Sequence, residues 1–485
     1  MSHGDMQHEG ARLIIKRAVE RRATSRGVTV EELGDYGMPT FGMDQSGVYR
    51  KEFGKRNVEI SIDALGRIRA SIFDKTEKNP KKYSLRRLAK SDWFLADRFR
   101  KLIERMETER ERQCRRLEEL YFSRRMRTVE EMRTRYIEHP FVGHFIPRII
   151  WQLRKSGSSE AAVFDAGKFY DVDGAEIAWV DDETAMTPWH PVLATVDQVQ
   201  AWRNRIDTLG IKQPFAQAYR EIFVPTDVEF ETEFYSNRFA GHFVWEFELQ
   251  HRLAHLGWEG PEQPEDDEAI YKFRHFANFD LQAVQYGDPV ADARRGTTDN
   301  ALLSSSYVMF ARASDDNHSP IRIHDVPPIV FSEVMHDLSN AVARSAIAVN
   351  MDWRDHTQRD KAEVYDYRRS TRHNSSGARQ RAEKLKQILP ALEISDQCRV
   401  SGCDLMVRGR LNVYRIHLGS AAVFKQPNDQ HICIVEGRHM GRYTGRVPES
   451  ANIDSTLTSA ISKAILLAND HAITDEIIRS QIGRI

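Results

Sequence analysis

The apolar residues of this chain come in short bursts. Its most apolar runs, Ile461 to Ala468 and Val326 to Phe331, fall far short of the roughly 20 residues that span a bilayer. Glycines, prolines and charges cut the rest into short segments, which can become stable only by packing on one another. The 485 residues are 41% hydrophobic and 29% charged, enough apolar material for real cores, and the length suits about two to four domains. A net charge of -1 gives no chain-wide field toward nucleic acid or an acidic membrane surface. Four cysteines, Cys114, Cys398, Cys403 and Cys433, are few for this length. With a polar amino terminus, they lead us to expect free thiols, a reducing compartment such as the cytoplasm or a nucleoid-associated pool, and no membrane partner.

Periodicity predicts an α+β fold, with helical N-terminal and middle regions carrying small antiparallel sheets. A C-terminal antiparallel sheet covered by helices completes it. Residues 1–80 read as a helix followed by a small meander, whose runs Val58 to Ile62 and Arg67 to Ile72 alternate between glycines. Residues 81–155 read as a basic helical region, with 18 Lys/Arg against 10 Asp/Glu over 81–135. It holds a capping box at Thr128 and a helical run from Phe145 to Leu153. Residues 156–326 read as an α+β region, in which Asp173-Gly174 marks a hairpin returning through Ile177 to Val180, with a helix pair around Phe239 to Leu256. Residues 327–485 are the clearest module. Ser332 is expected to cap a helix with Val334, Met335, Leu338, Val342 and Val349 at core spacing; 352–376 is polar and irregular. Strands follow at 405–408, 413–418, 421–424 and 431–435, and a helix from Leu457 closes the module.

Seven runs occur in a telling order: Thr40 to Asp44, Glu138 to Phe141, His190 to Val192, Gln213 to Gln217, Phe331 to Met335, Tyr414 to Ser420 and Pro427 to Gln430. Together they resemble the MolR-like proteins, a large bacterial family of unknown function often fused to a WGR module, over about residues 28–478. The resemblance implies no catalytic residues. No WGR-like segment is present in this chain, so the link of that module to DNA ends transfers weakly.

No phosphate-loop, dinucleotide, HExxH or GxSxG signature is present. Four constellations remain. On the strand from Val413, Arg415 and His417 share one face, and His431 on a neighbouring strand could join them to bind an anion or supply a general base. The plain alternative is a half-solvated sheet with a polar outer face. Glu333, His336 and Asp337 share a helix surface, half of a carboxylate–histidine metal motif, or simply acids favouring a helix N-terminus. Cys398, Cys403, His417, His431 and Cys433 are metal-ligand types, but their spacing fits no common zinc class, so inert structural cysteines are the simpler account. Arg115, Arg116, Arg124, Arg125 and Arg127 could contact phosphates, or lie on a solvated helix with interleaved Glu and Arg. The leading expectation is a non-enzymatic binding or scaffold protein acting with nucleic acid or a partner protein in stress or regulation. An enzyme with its site in the C-terminal module and a metal-binding module are the alternatives. No motif names a cofactor.

Overall fold

The computed structural model describes residues 9–483 except 54, 75–87, 89, 91, 124–125, 226, 261–269, 291–301, 316–317, 350–375, 420, 428–429, 433, 435–452 and 475. Arg124, Arg125, Cys433 and the expected irregular segment 352–375 therefore lie outside the described residues, as does the side chain of His431. The fold is an α+β mix divided into two compact units, Met1–Ala218 and Tyr219–Ile485. No described helix is long and apolar enough to cross a membrane.

Unit 1 opens with α1 (Glu9–Arg26) and α2 (Val30–Tyr36), the latter closed at its start by a Thr29/Glu32 capping box. The expected meander follows as β1 (Val48–Phe53), β2 (Arg56–Ile62) and β3 (Ile68–Asp74), antiparallel throughout. Val58, Ile60 and Ile72 point inward and pack in one core with the long helix α3 (Trp93–Glu119), through its Phe99, Met106 and Leu117. The second sheet has the order β4-β8-β5-β6-β7. Its strands are β4 (Arg127–Thr128), β5 (Ile150–Lys155), β6 (Ser158–Asp165), β7 (Lys168–Tyr170) and β8 (Ala185–Pro188). A short helix, α4 (Val129–Met132), carries the Thr128 capping box, and α5 (Val196–Thr208) follows the sheet.

Two expectations fail here. Phe145 to Leu153 is not a helix: a single 3-10 turn, Ile146–Arg148, gives way to β5. β5 is flanked by β6 and β8, and Ile150, Trp151 and Leu153 are all buried. Trp151 and Leu153 alternate with the half-buried Gln152 and the exposed Arg154, but the alternation is too short to stand apart from the apolar run that precedes it. The turn at Asp173-Gly174 is real, with the Gly174 amide donating to the Asp171 carbonyl at 3.2 Å. Its return strand shrinks to one bridge between Tyr170 and Glu176, and β7 stays at the edge of the sheet, paired with β6.

Unit 2 begins with α6 (Asp227–Thr232) and β9 (Tyr235–Ser236), then β10 (His242–Trp245) and α7 (Glu246–His255). The segment read as a helix pair is thus a strand feeding one helix. β11 (Ile270–Phe276), β12 (Leu281–Pro289) and β13 (Leu302–Arg312) form an antiparallel sheet, in the order β11-β12-β13-β10-β14 with β9 also on β13. α8 (Pro328–Ser345) starts before Ser332, because Pro328 fits the first turn of a helix. Ser332 lies inside α8, and its hydroxyl accepts from the Phe223 amide at 3.2 Å. The helix also stops before Val349, which belongs to β14 (Ala346–Val349) and pairs with His242.

The C-terminal part of unit 2 follows expectation more closely. After α9 (Ser376–Ile388) comes a five-stranded antiparallel meander: β15 (Cys398–Ser401), β16 (Asp404–Arg408), β17 (Val413–His417), β18 (Val423–Lys425) and β19 (Gln430–Ile432). Leu405, Val407, Tyr414, Ile416 and Val423 make one buried sheet face. α9 contributes Ala382 and Leu385 to the same core, and α10 (Ser455–Ala468) contributes Leu457, Ile461 and Ala464. A last short helix, α11 (Glu476–Ile482), adds Ile478 and Ile482. Asp470 pins the β16–β17 turn: its carboxylate accepts from the amides of Arg410, Leu411 and Asn412 and from the Tyr414 hydroxyl, all at 2.9–3.0 Å.

Candidate nucleic-acid interface

α3 is held by an Asp92 cap, whose carboxylate accepts from the Leu95 amide at 3.0 Å. Its inner face buries Ala96, Phe99, Met106, Gln113 and Leu117. The opposite face carries one row at alternating spacings of four and three: Phe94, Arg98, Lys101, Arg105, Thr108, Arg112 and Arg115. Such spacing keeps side chains on a single helix surface. All are exposed except the half-exposed Arg112. Five of the seven are cations and none is acidic, over a rise of about 32 Å at 1.5 Å per residue. Trp93 and Phe94 stand at the start of the row, 57% and 83% exposed, as an edge-to-face pair with centroids 5.3 Å apart.

Some of this charge has internal partners. Lys101 Nζ lies 2.9 Å from Asp97, and Arg112 lies 2.7 Å from Glu109. The Arg98 guanidinium sits 5.8 Å from the Phe53 ring centroid. The Lys101 ammonium is 72% exposed, so its pair contributes about 0–1 kcal/mol and a phosphate can displace it at little cost, whereas the largely buried Glu109 holds Arg112 more firmly.

The arginines expected to contact phosphate separate into three groups. Arg115 lies on the outer row. Arg116 donates to the Gly34 carbonyl at 2.9 Å and to the Tyr136 hydroxyl at 3.2 Å, so it ties α3 to its neighbours. Arg127 is buried, with its guanidinium 6.0 Å from the Tyr136 centroid. Arg124 and Arg125 lie outside the described residues.

A second cationic group in unit 1 had no sequence signal, because it draws on four separate segments. Arg148 is buried, and its Nη1 donates to the Lys212 carbonyl at 3.3 Å. Burial, then the charges of Arg67, Arg110 and Arg148, push the Lys212 ammonium below its usual range. Asp63 is the nearby acid. Against the cost of burial, hydrogen bonds from Arg67 and Arg69 bring its carboxyl down to about 2. Gly66 makes this approach feasible: it has φ +76, and a Cβ there would sit 1.9 Å from Arg148 Nη1.

In unit 2 the Glu333, His336 and Asp337 surface becomes a buried polar seam. Glu333 lies in the second turn of α8, away from the helix N-terminus, and both its oxygens accept from Arg220. His336 Nδ1 lies 3.4 Å from the same guanidinium. Asp337 accepts from Arg274 and, at 2.8 Å, from Trp258 Nε1. Burial pushes the Asp337 carboxyl up to about 6, against the pull of Arg274 and Trp258. A neighbouring cleft lined by Tyr219, Glu221, Arg381, Lys384 and Asp454 has about 10 Å³ of free interior, the size of a single water. Arg381 there is committed to Glu221 and Asp454 at 2.6 and 2.7 Å.

On β17, Arg415 is 3.3 Å from Asp404 and lies 4.4 Å from the Phe424 centroid. Phe424 pairs in register with both Arg415 and His431. His417 is buried, opposite Asp404 and against Gly419. Burial raises the Cys398 thiol to about 12 and also raises Cys403, so both stay protonated. Among the described residues no three His, Cys, Asp or Glu side chains gather as a metal cluster.

Residues 81–258 match a family described as a domain of unknown function (DUF4132), and residues 378–482 match another domain of unknown function (DUF7737). The first match takes in all of α3; the second takes in the C-terminal meander and its covering helices. No curated protein and no solved structure matches the chain.

Proposed function

We propose that this is a binding protein rather than an enzyme, and that unit 1 holds nucleic acid along the outer row of α3. The observation that carries the reading is the row itself: Arg98, Lys101, Arg105, Arg112 and Arg115 on one exposed surface with no acid among them. Cations at one-turn intervals can follow a phosphate backbone, and the exposed Trp93–Phe94 pair at one end offers a stacking surface for bases. The row is flanked on one side by Asp97, Glu104 and Glu111. A protein partner that reads both signs of charge is therefore the competing outcome. We read the Asp404–Arg415–His417 group as structural, since the arginine is both ion-paired and stacked. Kinship with the MolR-like proteins, and with it a bacterial regulatory setting, is proposed on the order of the seven sequence runs.

The test compares the full chain with the Arg105→Gln/Arg112→Gln/Arg115→Gln variant in binding labelled 30-nucleotide single strands and 30-base-pair duplexes. The reading expects weaker binding and a shallower salt dependence in the variant. Identical binding by the two proteins would overturn it.

A further inference from the structure

His251 and His255 stand one turn apart on α7, and both are exposed. Their Nε2 atoms are 3.1 Å apart, with the rings perpendicular and their centroids 4.5 Å apart. Phe247, a turn earlier and itself exposed, stacks nearly parallel on the His251 ring at 6.0 Å and 12°. That contact limits the His251 ring to few orientations. In the metal-free protein, one imidazole Nε2–H donates to the other Nε2, which fixes opposite tautomers on the two rings.

The same separation suits a shared ion. With metal–nitrogen bonds of about 2.05 Å, two nitrogens 3.1 Å apart subtend about 98° at the metal. That angle falls between the octahedral and tetrahedral values. We propose that His251 and His255 form a two-nitrogen chelate for a borderline divalent ion of the Zn2+ class on the exposed side of α7. Imidazole suits zinc, copper and nickel better than calcium or magnesium, which prefer oxygen. No third His, Cys, Asp or Glu joins the pair among the described residues, and the two imidazoles supply two of the ion's coordination positions. Binding moves the bridging proton from Nε2 to Nδ1 of the same ring, which frees both Nε2 lone pairs for the ion, and links residues 251 and 255 across a turn, so the ion stabilises α7. This site is independent of the nucleic-acid reading and stands or falls without it.

The test uses the full chain, stripped with a chelator and titrated calorimetrically with Zn2+ at pH 7.5, alongside His251→Ala, His255→Ala and the double variant. Other histidines and cysteines contribute equally to all four proteins and cancel in the comparison. Each single variant should weaken one site by about tenfold or more, because losing a direct donor costs at least as much as the outer-shell changes that cost about tenfold. The double variant should lose that site. In hydrogen exchange, Zn2+ should slow the α7 amides of the wild type and leave those of the double variant unchanged. Matching isotherms for wild type and double variant, or α7 exchange indifferent to Zn2+ in the wild type, would overturn the proposal.

Discussion

Asp337 offers a sharp test of the buried seam in unit 2. Its carboxyl is pushed from an ordinary value of 3.8 up to about 6, with burial as the largest cause. The folded state therefore binds this proton more tightly than the unfolded chain does. The sign follows directly: the stability contributed by this group is complete below about pH 4 and is lost as pH rises through about 6. Between pH 7 and pH 5 the wild type should gain about 1 kcal/mol from this group alone. Asp337→Asn removes the titration while leaving an oxygen to accept from Trp258 Nε1. The assay is hydrogen exchange of the α8 amides at pH 7 and pH 5, corrected for intrinsic rates, in both proteins. Wild type minus variant cancels the titrating groups that are not coupled to Asp337, as Glu333 and Arg274 are. The reasoning predicts that this difference shifts toward the wild type by about 1 kcal/mol at pH 5. No shift, or a shift of opposite sign, would refute the placement of a buried carboxyl beside Arg274.

Two further substitutions probe the scaffold. Gly66→Ala puts a methyl into the Arg148 guanidinium at a left-handed φ of +76, and should cost unit 1 about 1–3 kcal/mol in urea unfolding; a neutral result would mean the β2–β3 turn does not pack on Arg148. Asp470→Ala strips the acceptor from three backbone amides and the Tyr414 hydroxyl. Only the Tyr414 hydroxyl among these donors is deeply buried, the amides lying in a partly exposed turn, so the loss in urea unfolding should be about 1–3 kcal/mol, with Asp470→Asn intermediate.

The sequence made some elements plain and hid others for identifiable reasons. Tyr414, Ile416 and Leu418 alternate with polar neighbours because the C-terminal sheet buries one face under α9 and α10. The meander at β1–β3 is legible for the same reason, through Val58, Ile60 and Ile62. β5 was hidden because its alternation, Trp151 and Leu153 against Gln152 and Arg154, is too short to stand apart from the apolar run before it, and the start of α8 because Ser332 looks like a cap while Pro328 does the starting.

For the candidate sites the difficulty was different. Counting charge over residues 81–135 located the basic helix, but it treated Arg115, Arg116 and Arg127 alike. Only the four-and-three spacing separates outward Arg115 from Arg116, which is tied to Gly34 and Tyr136. That spacing was available in the sequence, as was the one-turn separation of His251 and His255. The cluster around Arg148 and Lys212 was not, since nothing local links Arg67, Arg110, Arg148 and Lys212.

The central claim is that α3 presents a phosphate-binding row, and the salt dependence of binding measures it most directly. Fluorescence anisotropy of the full chain with duplex and single-stranded DNA at 50 and 200 mM salt gives the slope of log affinity against log salt. Five row contacts predict slopes of about -4.5 for duplex and about -3.5 for single strands, a loss of about 500-fold and about 130-fold over that range. Neutralising Arg105, Arg112 and Arg115 leaves two contacts and should bring the duplex slope to about -1.8. A wild-type slope near zero, or a slope untouched by the three substitutions, would contradict the account.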